Sequence, residues 1–174
     1  MEPVEQLLYL SSAQLQEERT ISDAENAKSL FELAKETRYV SKDFPLETAI
    51  QLYPLDLFSA YTITTAIQRY GQNERSLFTF LAAKGTNSIS EFEPTEHQTY
   101  NLQKVYDYIL YNFYSYLKDA NADSMSWSTI QVSIERVEGQ DWADEEEMLQ
   151  AVKLVKAIGL LNLFGTAGFK LTER

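Results

Sequence analysis

The feature of this sequence that most constrains its fold is the scarcity of residues that interrupt helices. The 174 residues include only four prolines and six glycines. Proline lacks a backbone N–H, and glycine loses the most conformational freedom in a helix, so both residues concentrate at turns and helix ends. Long stretches without either one predict a mainly α-helical chain.

Capping residues and glycines divide the N-terminal half into helices. Ser22 and Glu25 have the spacing of a capping box, in which two side chains satisfy free amides at a helix start. Leu46–Leu52 predicts a short helix, and Leu55–Tyr70 predicts a longer helix that ends at Gly71. These signals are local, because a cap acts on groups within one helical turn.

A further helix is predicted directly after Gly71. Asn73 is placed to cap it and Gly85 to end it. One face is apolar, with residues at helical spacing: Leu77, Phe80 and Leu81. We therefore assign residues 1–85 to one helical subdomain, and the polar segment 86–98 to an exposed linker loop.

Residues 99–174 are predicted to begin with three helices. Tyr100–Leu117 predicts a long aromatic helix, and Ser126 is placed to cap a second one. Asp144 opens the third, in which apolar residues recur at helical spacing until Gly159. Gly159 is predicted to end that helix.

A short hairpin is predicted after the third helix. The apolar runs Leu160–Phe164 and Phe169–Thr172 have strand length, and the residues 165–168 between them have the turn sequence Gly-Thr-Ala-Gly. Three helices followed by a hairpin is the element order of a winged-helix domain. The predicted fold is therefore mainly α, with a helical subdomain followed by a winged-helix-like subdomain that has a small C-terminal β-hairpin.

The charge balance argues against direct nucleic-acid binding by this chain. It has 26 acidic and 15 basic residues, which gives a net charge of −11. A domain that neutralises phosphates needs a basic face. The acidic run Asp141–Glu147 suits a helix N-terminus, but it would repel phosphates if that helix entered the DNA major groove. A winged fold here is thus predicted to be architectural or protein-binding.

Composition also argues against several other classes of site. Cysteine is absent, which excludes disulfides and thiolate metal sites. There is no run of about eighteen apolar residues and no secretory signal pattern, so we expect no membrane span and a cytoplasmic location. His97 is the only histidine, and Glu93 and Glu96 beside it do not make a convincing ligand set. We predict no metal site and no catalytic residue in this chain.

Aromatic residues crowd the helix predicted at Tyr100–Leu117 and cover more than one of its faces: Tyr106, Tyr108, Tyr111, Phe113, Tyr114 and Tyr116. Base stacking uses such rings together with a basic groove, but only Lys104 and Lys118 lie nearby. Core packing or an interface inside a larger protein is the favoured interpretation, because tyrosine combines an apolar ring with a hydroxyl that can stay wet.

Two stretches of the chain resemble a known family. The first is Tyr53–Leu55 (YPL), followed about one helix later by Gly71–Leu81 (GQNERSLFTFL), and the second is Lys156–Gly165 (KAIGLLNLFG). Large P-loop ATPases of bacterial phage-defence systems of the BREX type carry similar runs downstream of their nucleotide site. The resemblance covers residues 53–171.

The resemblance implies ATP and magnesium chemistry in a part of the full-length protein that these residues do not contain. The phosphate-binding pattern G-x-x-x-x-G-K-[ST] is absent, so no cofactor is expected in this segment itself. By resemblance, the lid-like first subdomain would carry a nucleotide-sensing cluster: Arg75, Gln72, Asn73 and Glu74. A guanidinium there could stabilise phosphate charge. The alternative is that Asn73 only caps a helix and that Glu74 and Arg75 are surface charges.

The sequence therefore predicts a non-catalytic regulatory or interaction segment of a large phage-defence P-loop ATPase. It would couple nucleotide state to contacts with other domains or subunits of a larger assembly. One alternative is a free-standing helical adaptor that binds proteins. A further alternative, a winged-helix transcriptional regulator, is disfavoured by the charges.

Overall fold

The computed structural model describes residues 5–8, 11, 24–71, 75–82, 85–93, 98–119 and 121–165. Within these ranges the chain is mainly α-helical, as predicted, and its only β contact is an isolated bridge between Leu55 and Tyr100. None of the helices in the described ranges is long and apolar enough to cross a membrane.

The described helices follow one another with short connections. They are α1 (Ala24–Glu36), α2 (Leu46–Gln51), α3 (Leu57–Tyr70), α4 (Arg75–Ala82), a 3-10 helix (Ile89–Glu91), α5 (Leu102–Asn112), α6 (Tyr114–Lys118), α7 (Ser124–Glu138) and α8 (Glu145–Phe164). Residues 5–8 are also helical. The short helix predicted after residue 45 is confirmed as α2.

Two helix ends lie where the local sequence chemistry predicts them. Gly71 follows the last residue of α3, and its N–H donates to the carbonyl of Ile67 at 2.7 Å. Asp144 precedes α8, and its carboxylate accepts the N–H of Glu146 at 2.9 Å. These hydrogen bonds satisfy backbone N–H and carbonyl groups that have no partner within the regular helix.

Helix α3 is the centre of the molecule. It packs against α1, α4, α5 and α8. Its residues Ile63 and Ala66 are at most 1 % exposed. A helix surrounded on several sides needs apolar or small residues on more than one face, and α3 has this composition.

Helices on both sides of the predicted 86–98 boundary contribute to one buried cluster. The ring of Phe80 in α4 packs edge-on against Tyr108 in α5, with centroids 4.8 Å apart. Within the segment itself, Ser88 and Ile89 are buried, which differs from the exposed loop that its polar composition predicted. The division into two subdomains stays a prediction.

The predicted C-terminal hairpin is wrong in its first strand. Leu160–Phe164 belongs to α8, where Leu160 and Phe164 are buried one turn apart on the same face. A short apolar run fits a strand or a buried helix equally well, and here the helical periodicity of α8 continues through it. The second strand, predicted at Phe169–Thr172, lies outside the described residues. The winged-helix prediction thereby loses the hairpin on which it depended.

Gly159 does not end a helix as predicted, because α8 continues to Phe164. A Cβ atom at Gly159 would lie 2.6 Å from Cγ1 of Ile130 in α7. Real Cβ contacts are not that short, so glycine here allows α7 and α8 to approach each other closely. The residue that ends α8 is Gly165, where a Cβ would lie 2.6 Å from the hydroxyl of Tyr39.

The long helix predicted at Tyr100–Leu117 is two helices. Helix α5 ends at Asn112 and α6 begins at Tyr114, with Phe113 between them at φ −112° and ψ 15°. The N–H of Phe113 still donates to the carbonyl of Ile109 at 2.9 Å. Residues on both sides of the break are exposed, among them Tyr111 and Tyr114.

Candidate functional site

The nucleotide-sensing cluster predicted at residues 72–75 falls mostly outside the described residues. Gln72, Asn73 and Glu74 are not among them, and Arg75 is described only as the first residue of α4. The sensing role therefore stays a prediction. His97 also lies outside the described residues. No group of three or more histidine, aspartate or glutamate side chains in the described ranges is placed to hold a metal ion.

A groove lies beside α1 and α8, and we call it the leucine groove. Its apolar walls come from four helices: Leu30 and Leu33 in α1, Phe58 in α3, Leu102 in α5, and Leu154 and Leu161 in α8. Its volume is about 410 Å³. Leu33 is 43 % exposed and Leu154 is 61 % exposed. Leucines with this much exposure in a concave surface suit the binding of another apolar surface.

Helix α8 exposes an apolar face because it is apolar on two opposite sides. One side, with Val152, Leu160 and Phe164, is buried in the molecule. The other follows intervals of three and four residues, which is the spacing of helices that pack lengthwise: Ala151, Leu154, Ile158 and Leu161. Leu154 and Ile158 on this second side remain more than two-fifths exposed.

One carboxylate lines the leucine groove. Asp56 precedes α3 and accepts the N–H of Ser59 at 2.7 Å. Burial raises the pKa of Asp56 to about 6, although the hydrogen bond from Ser59 works in the opposite direction. No ion pair to Asp56 occurs within the described part of the chain. Lys153 of α8 also lines the groove, so the groove has one cationic and one anionic side chain.

A polar network joins the end of α3 to α7, and it is buried at Trp127 and exposed at Arg69. The indole N–H of Trp127 donates to the hydroxyl of Tyr70 at 2.9 Å. The Tyr70 hydroxyl donates to Asp123 at 2.7 Å, and Arg69 forms an ion pair with Asp123 at 3.1 Å. Burial raises the pKa of Tyr70 well above its usual range, so its hydroxyl keeps its proton at neutral pH. The indole N–H of Trp127 and the hydroxyl of Tyr70 thus both have acceptors within the network.

Sequence reasoning missed both the leucine groove and this network. Tyr70 was predicted only as the last residue of a helix. No local signal pairs Tyr70 with Trp127, because the two residues are far apart in sequence. The groove had a partial signal, namely the apolar residues of α8 at intervals of three and four, but its other walls come from distant helices.

Comparison with known proteins gives no relative for this chain. No protein-family model, no curated protein and no solved structure matches it. The leucine groove is a candidate binding surface. Its apolar walls can hold a complementary apolar surface through desolvation.

Proposed function

We propose that this chain is a non-catalytic interaction segment of a large phage-defence P-loop ATPase, in which it couples nucleotide state to partner contacts. The observation that supports protein binding is the leucine groove with its exposed Leu154. The ATPase context rests on the resemblance of Gly71–Leu81 and Lys156–Gly165 to that family. ATP and magnesium would bind in the core of the full-length protein.

The occupant that fits the leucine groove is an amphipathic helix from another domain or subunit. Apolar helix faces bind grooves of this kind through side chains spaced three and four residues apart. Asp56 and Lys153 both line the groove, so a helix with one basic and one acidic side chain beside its apolar face would meet both charges. The apolar walls, rather than a net charge, make the groove fit an amphipathic helix.

Packed helices connect the predicted sensor at Arg75 to the leucine groove. Arg75 opens α4, which packs against α3. Helix α3 contributes Phe58 to the groove and also packs against α8, which contributes Leu154. We propose that a shift of α4 on nucleotide binding changes the groove through α3. Interfaces that have two packing arrangements can transmit such shifts.

Leu154→Glu in the full-length protein is expected to weaken partner binding about thirtyfold, because a charge would replace a central apolar contact. Val132→Glu is the matched control, since Val132 is 40 % exposed on α7 and does not line the groove. The measurement is the native mass of the assembly over a range of protein concentrations. Equal assembly by both variants and wild type would contradict the proposed role of the groove.

Arg75→Ala is expected to lower ATP turnover of the full-length protein about a thousandfold if its guanidinium acts on the γ-phosphate. Arg136→Ala is the control, because Arg136 is an exposed arginine near the end of α7. Steady-state ATPase assays measure the effect, with circular dichroism to compare folding. Turnover equal to that of wild type would remove Arg75 from the mechanism and leave it as a surface charge.

A free-standing helical adaptor remains the second candidate, because the leucine groove supports protein binding without an ATPase. The native mass of the endogenous protein separates the two proposals, since this chain alone has a mass of 20.0 kDa. A winged-helix regulator is a weaker proposal, which a salt-sensitive shift of duplex DNA would support. The four carboxylates at the start of α8, Asp144 and residues 145–147, argue against it.

A further inference from the structure

A second groove lies at the corner between α5 and α6, and we call it the aromatic groove. Its walls include Leu110 and Tyr111 from α5, Tyr114 from α6 and Gln131 from α7, and its volume is about 580 Å³. Tyr111 is 63 % exposed and Tyr114 is 55 % exposed. The break at Phe113 gives the corner its shape, because it ends α5 between the two tyrosines.

The aromatic groove offers hydrogen-bond donors as well as apolar rings. The hydroxyls of Tyr111 and Tyr114 and the amide of Gln131 form no hydrogen bond within the described part of the chain. A peptide in the polyproline II conformation has no internal hydrogen bonds, so its carbonyls are free to accept. A helical peptide has most of its carbonyls occupied. Rings together with free donors therefore fit a proline-rich segment better than a helix.

The aromatic groove continues into an acidic pocket of about 330 Å³. The two share Asn87 and Asp107, and the pocket adds the carboxylates of Glu91 and Glu93. Lys104 also lines the pocket, where its ammonium lies 5.3 Å from the centroid of the Phe92 ring. Asp107 is already paired with a lysine of α8 at 2.7 Å. Glu91 and Glu93 are both exposed and form no ion pair within the described residues. The carboxylates of the pocket outnumber its one lysine. The surface is thus apolar at one end and net acidic at the other, which matches a proline stretch with a basic flank.

We propose that the aromatic groove binds a proline-rich segment of a partner protein in the polyproline II conformation, with an adjacent arginine or lysine facing Glu91 and Glu93. The prolines would stack between the rings of Tyr111 and Tyr114. The inference rests on the protein-binding part of the proposed function and adds a surface separate from the leucine groove.

The test uses the whole chain and a synthetic oligoproline of about nine residues with one terminal arginine, titrated by calorimetry. Tyr111→Ala and Tyr114→Ala are each expected to weaken binding at least about tenfold. Tyr116→Ala is the matched control: Tyr116 is 42 % exposed, but its ring packs against Tyr70 outside the groove. Its affinity is expected to stay within about twofold of wild type.

The acidic end has its own test. Glu91→Gln is expected to weaken the peptide with arginine about threefold and to leave the same peptide without arginine unchanged. Three results would each overturn the proposal. They are absence of binding at about 1 mM peptide, equal losses of affinity in Tyr111→Ala and Tyr116→Ala, and tighter binding of a basic amphipathic helix of the same length. The Leu154→Glu variant distinguishes this inference from the proposed function. It is expected to lose assembly through the leucine groove and still bind the proline peptide, so either property can fail without the other.

Discussion

Trp127→Ala is expected to lower the free energy of unfolding by about 3–5 kcal/mol. Trp127 is 3 % exposed, and its ring lies 5.6 Å from that of Tyr106 and 6.4 Å from that of Phe164. Its removal leaves a cavity where α5, α7 and α8 meet, and it removes the hydrogen bond to Tyr70. Urea unfolding followed by circular dichroism measures the loss.

The chain provides its own control for Trp127, because it has only one other tryptophan. Trp142 lies just before α8, is half-buried and donates to the carbonyl of Val137 at 2.6 Å. Trp142→Ala is expected to cost about 1 kcal/mol, since it lies outside the shared aromatic core. Equal losses for the two tryptophans would contradict the central role of Trp127.

Tyr70→Phe separates hydrogen bonding from packing at the same place. The substitution keeps the ring but leaves the buried indole N–H of Trp127 without its acceptor. We expect a loss of about 1–3 kcal/mol, the cost of an unsatisfied buried donor. In the Trp127→Phe background the same substitution is expected to cost less, because no indole N–H remains there. Similar losses in the two backgrounds would assign the cost to the lost hydrogen bond from Tyr70 to Asp123 rather than to the indole N–H.

The helix ends at Gly71 and Asp144 were predicted correctly from the sequence, whereas those predicted at Gly159 and Ser126 were wrong. Gly71 after α3 and Asp144 before α8 act on backbone groups within four residues, so local sequence contains the whole interaction. The buried face of α4 was likewise visible from the spacing of its apolar residues, and its members Leu77, Phe80 and Leu81 are at most 5 % exposed. Short-range chemistry determines these features, and tertiary packing did not override it.

Features that depend on distant residues were not predictable in the same way. A glycine such as Gly159 can end a helix or allow a neighbour to approach, and Ile130 in another helix decides between the two. The groove around Leu154 is also assembled from residues that lie far apart in sequence, including Leu30 and Leu102. Apolar periodicity shows which residues share a helix face. It does not show which faces another helix covers.

Gly159→Ala is expected to destabilise the protein by about 1–3 kcal/mol, although alanine is the better helix former by about 1 kcal/mol. The new methyl group would lie 2.6 Å from Cγ1 and 2.7 Å from Cδ1 of Ile130. Ile130 is 6 % exposed, so its side chain has little room to turn aside. The close contact between α7 and α8 must then open. Thermal or urea unfolding of the two proteins measures the difference.

A double-mutant cycle tests whether Ile130 is the cause. Ile130→Ala alone leaves a cavity and is expected to cost about 2–5 kcal/mol. In the Gly159→Ala background, Ile130→Ala also removes the side-chain atoms that lie closest to the new methyl group. The loss of unfolding free energy caused by Ile130→Ala is therefore expected to be smaller there by at least about 1 kcal/mol. If the losses of the two single variants add in the double variant, the strain caused by Gly159→Ala lies elsewhere in α8. A favourable coupling would show that Gly159 sets the distance between α7 and α8, and with it the position of the helix that presents Leu154 to the leucine groove.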